Sequence, residues 1–289
     1  MSTHARPPAF ALESTVLLHG VPRPSARALA LDLRADARAA GAHAAIVGVL
    51  AGSPVVGLSD DQLDQLLAAP AVHKANAANL GILLHSRAHA ATTVSSTLEL
   101  AAGAGLRLAA TGGIGGLHRG LAHRLDLSSD LHALARFPVA LVASGVKSLL
   151  DVEGTRELLE ALAVPVIGFR TDLFPAFYRR ESLARVDARF DDPHDLAAFI
   201  RSELARRTRG ILIANPIPAD DELPESDLDQ WLAAAHAEAA QLTIHGREVT
   251  PFILGRLHEL SKGQTLRANI ALLRHNVRLA AELAVHLAR

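Results

Sequence analysis

Residues 139–150 read Val139-Ala-Leu-Val-Ala-Ser-Gly-Val-Lys147-Ser-Leu-Leu150, an apolar run that leads into a glycine and a lone lysine. A continuous apolar run is typical of a strand that is buried on both faces of a parallel sheet. The residues after it, up to residue 162, have an acidic first turn and apolar residues at helical spacing. The stretch therefore predicts a strand followed by a helix. It places Lys147 at the carboxyl end of the strand, where open α/β sheets bind ligands.

The same alternation of short apolar runs and alanine-rich stretches extends along the chain, with no repeat of fixed period and no low-complexity linker. It predicts an α/β fold in which helices cover both faces of a sheet, as one compact domain over residues 1–289. The predicted strands are residues 14–18, 44–50, 80–84, 107–110, 139–143, 164–168 and 210–214. The predicted helices are residues 24–39, 60–69, 93–104, 148–162, 193–206, 225–240 and 266–287.

Composition excludes several classes of function. The chain has 289 residues, of which 49% are hydrophobic, a formal net charge of −1 and no cysteine. A near-neutral charge argues against a nucleic-acid polymer as a partner. No apolar run approaches the roughly 20 residues that a membrane-spanning helix needs, and we expect a cytoplasmic protein. Without cysteine, any metal ion must take its ligands from carboxylates, histidines and water.

A glycine-rich turn, Thr111-Gly-Gly-Ile-Gly-Gly-Leu-His118-Arg119, follows one of the predicted strands. Glycines permit positive φ and let backbone N–H groups approach an anion closely, as phosphate-binding turns require. The spacing matches neither the dinucleotide-binding GxGxxG pattern nor Walker A. A tight turn that packs a strand on a helix is the plain alternative. The imidazole and guanidinium directly after the turn favour a ligand site, in which His118 is a candidate for moving a proton.

Two ionisable side chains in apolar surroundings are candidates for catalysis. A desolvated amine at Lys147 would add to an aldehyde or a sugar C1 and form an imine, whereas a lysine with a buried stem and a solvated head group is the alternative. Glu13 interrupts an apolar run near the amino terminus, where burial favours the protonated form and allows a carboxyl group to act as a general acid. A glutamate on an edge strand is the alternative there.

A short acidic segment contains candidate metal ligands. Asp126 and Asp130 flank two hydroxyls, those of Ser128 and Ser129. Hard oxygen donors at this spacing suit Mg²⁺ or Mn²⁺, which keep several water ligands. The serines also suit the start of a helix with Asp130 in its first turn, and both roles are compatible.

Lys74 and Asn269 complete the polar candidates. A lysine such as Lys74 is ordinarily a solvated surface residue. Asn269 interrupts an apolar helical face, where an amide usually satisfies a backbone group and the edge of a heterocyclic base is the rival partner.

Eight blocks follow one another from about residue 10 to the carboxyl terminus. They read Ala-Leu-Glu13-Ser-Thr, Ala-Thr-Thr-Val94, Ala-Thr-Gly-Gly-Ile-Gly-Gly-Leu-His118-Arg-Gly, Asp126-Leu-Ser-Ser-Asp130-Leu, Ser-Gly-Val-Lys147-Ser-Leu-Leu-Asp151, Asn215-Pro-Ile-Pro, Thr250-Pro-Phe and Leu-Arg-Ala-Asn269-Ile. In order and in spacing they resemble the pseudouridine-5′-phosphate glycosidase family, the indigoidine synthase A-like C-glycosidases. The glycine-turn and lysine blocks are the most specific part of the resemblance.

The resemblance implies a three-layer α/β/α sandwich with a central mixed β-sheet, a homotrimer, a Mn²⁺ ion, and reversible cleavage of the C–C bond between ribose 5-phosphate and uracil. It implies that Lys147 forms an imine with C1 of the ring-opened ribose, that Glu13 is the proton donor, and that Asp126 reaches the metal. His118, from its position beside the glycine turn, is expected to move a proton on the base. The expected substrate-binding residues are Lys74, Thr93, Val94, Ser128, Ser129, Asp130 and Asn269.

Two stretches depart from the family pattern. Lys74-Ala-Asn-Ala-Ala-Asn79 replaces a basic, polar run, and Ala90 stands where a glycine is usual. The candidate catalytic residues are unchanged while these neighbouring residues differ, so the identity of the heterocyclic base in the substrate is left open. A C-glycosynthase that joins ribose 5-phosphate to another heterocyclic or aromatic acceptor is the second hypothesis, and a catalytically silent sugar-phosphate binding protein is the third.

Overall fold

The structure is a computed structural model that describes residues 7–118, 126–244 and 249–289. Its strands are β1 (Ala9–Glu13), β2 (His43–Leu50), β3 (Ser53–Val56), β4 (His73–Ala75), β5 (Ala90–Thr92), β6 (Leu108–Ala110), β7 (Leu117–His118), β8 (Ala140–Ala143), β9 (Leu150–Asp151), β10 (Val166–Phe169), β11 (Ala188–Phe190) and β12 (Ile211–Ala214). Its helices are α1 (Thr15–His19), α2 (Arg23–Ala39), α3 (Asp60–Ala68), α4 (Leu80–His85), α5 (Val94–Gly103), α6 (Ser129–Arg136), α7 (Val152–Ala161), α8 (Pro193–Arg206), α9 (Glu225–Gln241), α10 (Val249–Leu260) and α11 (Gln264–Leu287).

Most of these strands form one mixed sheet in the order β11-β10-β12-β8-β6-β1-β2-β5-β4, with β3 added beside β2. Neighbouring strands are parallel except that β2 pairs antiparallel with both β3 and β5. β1 pairs with the first part of the longer β2 and ends with Glu13 opposite Val47. β5, on the other side of β2, ends at Thr92, whose hydroxyl donates to the Val47 oxygen at 2.8 Å. The carboxyl ends of β1 and β5 therefore lie at the same level of the sheet.

Helices cover both faces of this sheet. α2, α8 and α11 pack together, and α11 also lies across β1, β6 and β8. α5 packs against β1, β2, β6 and α6. Because both faces are covered, β8, β10 and β12 are buried at every position. The result is the predicted single-domain α/β/α sandwich. Within the ranges given above, no helix is both long and apolar enough to cross a membrane.

Two of the predicted strands are wrong. Residues 14–18 lie largely in α1, directly after β1, and residues 80–84 lie in α4. Short apolar runs have too little periodicity to distinguish a strand from a buried helical turn. The helix predicted from residue 148 begins instead at Val152, because the Asp151 carboxylate accepts the Gly154 N–H at 2.9 Å and caps it. The other predicted elements are present, with bounds shifted by at most one or two residues.

Candidate active site

The candidate residues gather at the edge of the sheet where β1, β6 and β8 end. These three strands are parallel neighbours, so the segments that follow them emerge side by side. The backbone N–H of Thr111 donates to the Val142 oxygen at 3.0 Å, and the N–H of Lys147 donates to the Ile114 oxygen at 3.2 Å. The glycine turn and the segment that leads to Lys147 therefore run alongside each other beyond the end of the sheet.

Glu13 is the last residue of β1 and is only 8% exposed. Its carboxylate accepts a hydrogen bond from the hydroxyl of Thr111, the first residue of the glycine turn. Burial has the largest effect on the pKa of Glu13 and raises it; the charge of Lys147, the Thr111 hydrogen bond and the charge of Lys74 lower it, and the charge of Asp130 raises it. The net pKa is raised, so the carboxyl group keeps its proton to a higher pH than an exposed glutamate does.

Lys147 follows a bend that requires glycine. Gly145 has φ +71°, and a Cβ there would overlap the backbone oxygen of Pro175. Lys147 itself is half-buried, and its charge is the largest electrostatic influence on the Glu13 carboxyl group. Because β1 and β8 are the two neighbours of β6, the residues that follow them, Lys147 among them, lie at the same edge of the sheet as Glu13.

Asp130 connects two backbone segments of the site. The Ser128 hydroxyl accepts the Asp130 N–H at 3.2 Å and begins α6, which confirms the predicted helix cap. The Asp130 carboxylate, on a residue that is 5% exposed, accepts the Ser95 N–H at 3.0 Å and the Gly115 N–H at 2.9 Å. The anion that the glycine turn binds here is thus a carboxylate of the protein itself.

Three of the four glycines of the turn, Gly113, Gly115 and Gly116, leave no room for a Cβ. None of them is among the glycines with positive φ, so the prediction of positive φ is wrong for this turn. A Cβ at Gly115 would lie 2.6 Å from the Ser128 Cβ and 3.0 Å from an Asp130 oxygen, and a Cβ at Gly113 would lie 2.5 Å from the nearest atom of the Phe177 ring. The second predicted reason for glycine is confirmed, because the backbone of the turn lies close to other groups.

A row of hydroxyls connects the starts of α5 and α6. The Thr93 and Ser95 oxygens lie 3.0 Å apart, and the Ser95 and Ser129 oxygens lie 2.9 Å apart. The Ala77 N–H also donates to the Ser95 oxygen at 3.2 Å. The run that departs from the family pattern therefore contacts the hydroxyls at the edge of the site.

That run forms a turn between β4 and α4. The Asn76 N–H donates to the Asn79 side-chain oxygen at 2.7 Å, and the Asn79 amide donates to the Lys74 backbone oxygen at 3.1 Å. Lys74 is exposed on β4, yet its charge lowers the pKa of Glu13. The pKa of His19 is lowered mainly by burial and, as the second cause, by the charge of Lys74. The two asparagines thus hold the backbone that carries Lys74.

α11 places two asparagines against the glycine turn, of which the sequence analysis identified one. The Asn269 side-chain oxygen lies 3.3 Å from the position of a Cβ at Gly112. Asn276 is completely buried, and its amide donates to the backbone oxygens of Thr111 at 2.8 Å and Gly112 at 3.2 Å and to the Ser144 hydroxyl at 3.1 Å. Sequence reasoning missed Asn276; the one signal that could have identified it is its position two helical turns after Asn269, on the same apolar face.

Two further predicted residues lie at the periphery of this network. His118 is half-buried on β7, opposite Leu150 of β9, and its backbone N–H donates to the Asp126 oxygen at 3.1 Å. Val94, the first residue of α5, is 3% exposed. Both follow elements that end at the same edge as Glu13 and Lys147.

Asp126 offers a carboxylate for a divalent ion. It is half-buried, and in the part of the chain that the structure describes its side chain forms no ion pair or hydrogen bond. Among the residues that the structure describes, one group of three side chains could share a metal ion. It consists of the exposed Asp192, His194 and Asp195 and does not include Asp126. A carboxylate is the kind of hard oxygen ligand that Mn²⁺ takes, and such an ion keeps most of its other ligands as water.

The fold and the site define an α/β enzyme with a half-buried amine beside a buried carboxylic acid at the carboxyl edge of its sheet. The chain belongs to the indigoidine synthase A-like protein family, whose sequence profile matches residues 2–286. A protein from Methylobacterium nodulans named pseudouridine-5′-phosphate glycosidase is 46% identical over 281 residues, covering 97% of this chain and 83% of the relative. A protein of the same name from Solibacter usitatus is 44% identical, covering 97% and 94%.

Two solved structures have the same fold. An indigoidine synthase A-like protein from Thermotoga maritima superimposes with a TM-score of 0.90 at 37% identity, covering 98% of this chain and 94% of that one. The prealnumycin C-glycosynthase AlnA, solved in complex with ribulose 5-phosphate, also has a TM-score of 0.90, at 33% identity, covering 98% and 92%. The fold thus occurs in a protein named a C-glycosynthase. It also occurs in this chain, which is similar in sequence to proteins named pseudouridine-5′-phosphate glycosidase.

Proposed function

We propose that this protein is a pseudouridine-5′-phosphate glycosidase, which reversibly cleaves the C–C bond between uracil and ribose 5-phosphate. The observation that carries the proposal is the placement of Lys147 beside a buried Glu13 whose pKa is raised. It is supported by relatives of this name that are 41–46% identical to the chain over nearly its whole length.

In the proposed reaction Lys147 is the nucleophile. Its neutral amine attacks C1′ of the ribose and displaces the ring oxygen, to which Glu13 gives its proton. The nitrogen, which is now an ammonium, returns a proton to the Glu13 carboxylate. Its lone pair then forms a C=N bond as the bond from C1′ to the base breaks, and the base carbon takes up a proton from His118. Water hydrolyses the imine, which releases ribose 5-phosphate and restores the amine. The imine is needed because a C–C glycosidic bond has no heteroatom to act as a leaving group.

The other residues bind the substrate and move protons. His118 transfers the proton at the base carbon. Because both oxygens of Asp130 accept backbone N–H groups, its contribution is to hold the glycine turn and the start of α5 around the substrate. The proposed substrate-binding residues are Lys74, Thr93, Val94, Ser128, Ser129, Asp130 and Asn269.

The divalent ion belongs at Asp126 in this proposal. When bound, Mn²⁺ offsets part of the negative charge of the sugar phosphate. The partners are ribose 5-phosphate and a heterocyclic base rather than a nucleic-acid polymer or a membrane. The proposed assembly is a homotrimer in the cytoplasm, and sedimentation equilibrium tests the assembly directly.

Trapping of the imine tests the mechanism. The chain has only three lysines, Lys74, Lys147 and Lys262, so one peptide map assigns an adduct without ambiguity. After incubation with ribose 5-phosphate and Mn²⁺ and reduction with borohydride, we expect the adduct on Lys147, and we expect it to be absent in Lys147→Arg and retained in Lys262→Arg. Binding of ribose 5-phosphate without an adduct would instead identify a silent sugar-phosphate binding protein.

A C-glycosynthase is the second candidate, favoured by the structural similarity to AlnA. The two activities differ in the acceptor, because uracil is the partner of a glycosidase and another heterocycle or an aromatic compound is the partner of a synthase. Incubation of the enzyme with ribose 5-phosphate, Mn²⁺ and a panel of acceptors, followed by mass spectrometry, distinguishes them. A product with uracil alone supports the glycosidase, and a product with another acceptor but not with uracil supports the synthase.

A further inference from the structure

A second, strongly charged cleft lies further along the same edge of the sheet. It has a volume of about 290 Å³ and lies beyond the carboxyl ends of β10 and β12. Neither Lys147 nor Glu13 lines it. Its volume is near the lower limit of about 300 Å³ for pockets that bind small molecules. Four arginines line it, namely Arg170, Arg180, Arg185 and Arg189.

The lining has an excess of positive charge. Asp172 and Glu181 are the acidic residues among the lining side chains. Arg189 is committed to Asp172 at 2.8 Å and to Asp191 at 2.9 Å. Arg185 is exposed and its side chain forms no ion pair or hydrogen bond with any residue in the described ranges. The cleft has four guanidinium groups and two carboxylates. At least one guanidinium group therefore has no carboxylate partner among the lining residues.

Arg170 is held with part of its guanidinium group free. Its backbone has φ +57°, a conformation that side-chain-bearing residues rarely adopt. Its Nε donates to the Asp191 backbone oxygen at 3.2 Å, and the group lies 4.7 Å above the Phe169 ring. The two terminal nitrogens make no hydrogen bond to another described residue. A planar guanidinium fixed in this way has the geometry for bidentate binding of a phosphate or carboxylate.

The charge of the cleft also acts on a histidine that does not line it. His275 on α11 is half-buried. Burial lowers its pKa, and the charges of Arg278, Arg180 and Arg170 lower it further, against a smaller opposite effect of Asp221. Of these three arginines, Arg180 and Arg170 line the cleft.

We propose that this arginine cleft binds a phosphate monoester of a small organic molecule, at a site separate from Lys147. Arg170 and Arg185 bind the phosphate oxygens. Leu173 and Pro216, which also line the cleft, provide an apolar wall for the organic part. A sugar phosphate and a nucleoside monophosphate share this chemistry. The proposal does not depend on the proposed function of the active site.

Calorimetric titration of the full chain with uridine 5′-monophosphate and, separately, with ribose 5-phosphate tests this proposal. In the double variant Arg170→Gln and Arg185→Gln we expect the affinity for at least one of these probes to fall by about tenfold or more, because hydrogen bonds between charged partners are lost. The matched control is Arg38→Gln, an exposed arginine on α2 outside the cleft, which should bind as the unaltered protein does. Uridine, which has no phosphate, should not compete.

The two probes and an active-site variant separate the outcomes. A loss confined to uridine 5′-monophosphate identifies a nucleotide site, and a loss confined to ribose 5-phosphate identifies a sugar-phosphate site. In a Lys74→Gln background, where ribose 5-phosphate should bind more weakly at the proposed active site, replacement of Arg170 and Arg185 should still remove the same binding event. The proposal is overturned if the double variant binds both probes as tightly as the unaltered protein, if neither probe binds, or if Lys74→Gln alone abolishes the binding. Thermal unfolding shows whether each variant is folded.

Discussion

The side-chain amide of Asn276 donates a hydrogen bond to the backbone oxygen of Thr111, 2.8 Å away. The hydroxyl of Thr111 in turn donates to the Glu13 carboxylate. Asn276 and Thr111 are completely buried, so water cannot replace either bond. The long carboxyl-terminal helix thereby positions the residue that holds the proposed acid, although the helix itself supplies no atom to it.

Replacement of Asn276 by leucine should destabilise the protein. It leaves the buried oxygen of Thr111 without this donor, and it leaves the buried Asn215 amide, which donates to the Asn276 side-chain oxygen at 2.9 Å, without this acceptor. An unsatisfied buried group costs about 1–3 kcal/mol, so we expect a loss of about 2–4 kcal/mol in the free energy of unfolding. Urea denaturation measures it. The matched control is Asn269→Leu, on the same face of α11 but half-buried.

For Asn269→Leu we expect a stability change within about 0.5 kcal/mol and a loss of turnover with pseudouridine 5′-phosphate, because this amide is proposed to contact the substrate. Equal stability losses in the two variants would contradict the difference in their hydrogen bonding.

The Thr111 hydroxyl should set the upper pH limit of activity. The hydrogen bond it donates lowers the pKa of Glu13 against the effect of burial. In Thr111→Val the pKa of Glu13 should rise further, and the fall in kcat at high pH, which follows loss of the Glu13 proton, should move to higher pH. Thr97→Val, which removes a buried hydroxyl that donates to Thr92 at 2.9 Å, is the control. If the fall in kcat at high pH moved to lower pH in Thr111→Val, Glu13 would not be the proton donor.

The raised pKa of Glu13 also makes stability depend on pH. A group with a higher pKa in the folded state stabilises the protein fully below its unfolded value, about 4.5 here, and this contribution is lost as pH rises through the folded value. Glu13→Gln has no charge to bury. The free energy of unfolding of the variant minus that of the unaltered protein should therefore increase as pH rises above about 4.5. Denaturation curves at several pH values test this, and a difference that stays constant or decreases refutes it.

Gly115 should not tolerate a side chain. A Cβ there would lie 2.6 Å from the Ser128 Cβ and 3.0 Å from an Asp130 oxygen, so Gly115→Ala should displace the start of α6 and lower stability by about 1–3 kcal/mol. Gly81→Ala is the control, because nothing lies within 4 Å of a Cβ at Gly81 in α4; it should be neutral or stabilising by up to about 1 kcal/mol. Thermal unfolding compares the two. Similar melting temperatures would show that the turn can move aside.

The sequence predicted most of the long elements and few of the short ones; of the long helices, α10, with 12 residues, was not predicted. Helices such as α8 and α9 have enough turns for a period of 3.6 to be recognised. The Asp192 side chain caps the start of α8, and α9 starts after Pro224 with acidic residues in its first turn. β4, β5, β7 and β9 have two or three residues each, which is too short for any periodicity. α1 and α4 were mistaken for strands for the same reason.

The candidate site was predicted in part. Glu13, Lys147, Asp130 and the glycine turn were identified because charged groups and glycines are conspicuous in apolar runs. Asn276 was missed, since a single amide in a helix does not reveal its partners.

The sequence by itself determined which chemistry the chain carries: an amine and a carboxyl group at the ends of apolar strands, and a glycine turn that permits close approach of the backbone. Only the tertiary structure decided how these groups act on one another. Parallel pairing of β1, β6 and β8 brings Glu13 to the Thr111 hydroxyl and to the charge of Lys147, over separations in sequence that no local pattern records. Burial then raises the pKa of Glu13, because desolvation depends on every element that packs around the carboxyl group and not on its neighbours in the chain.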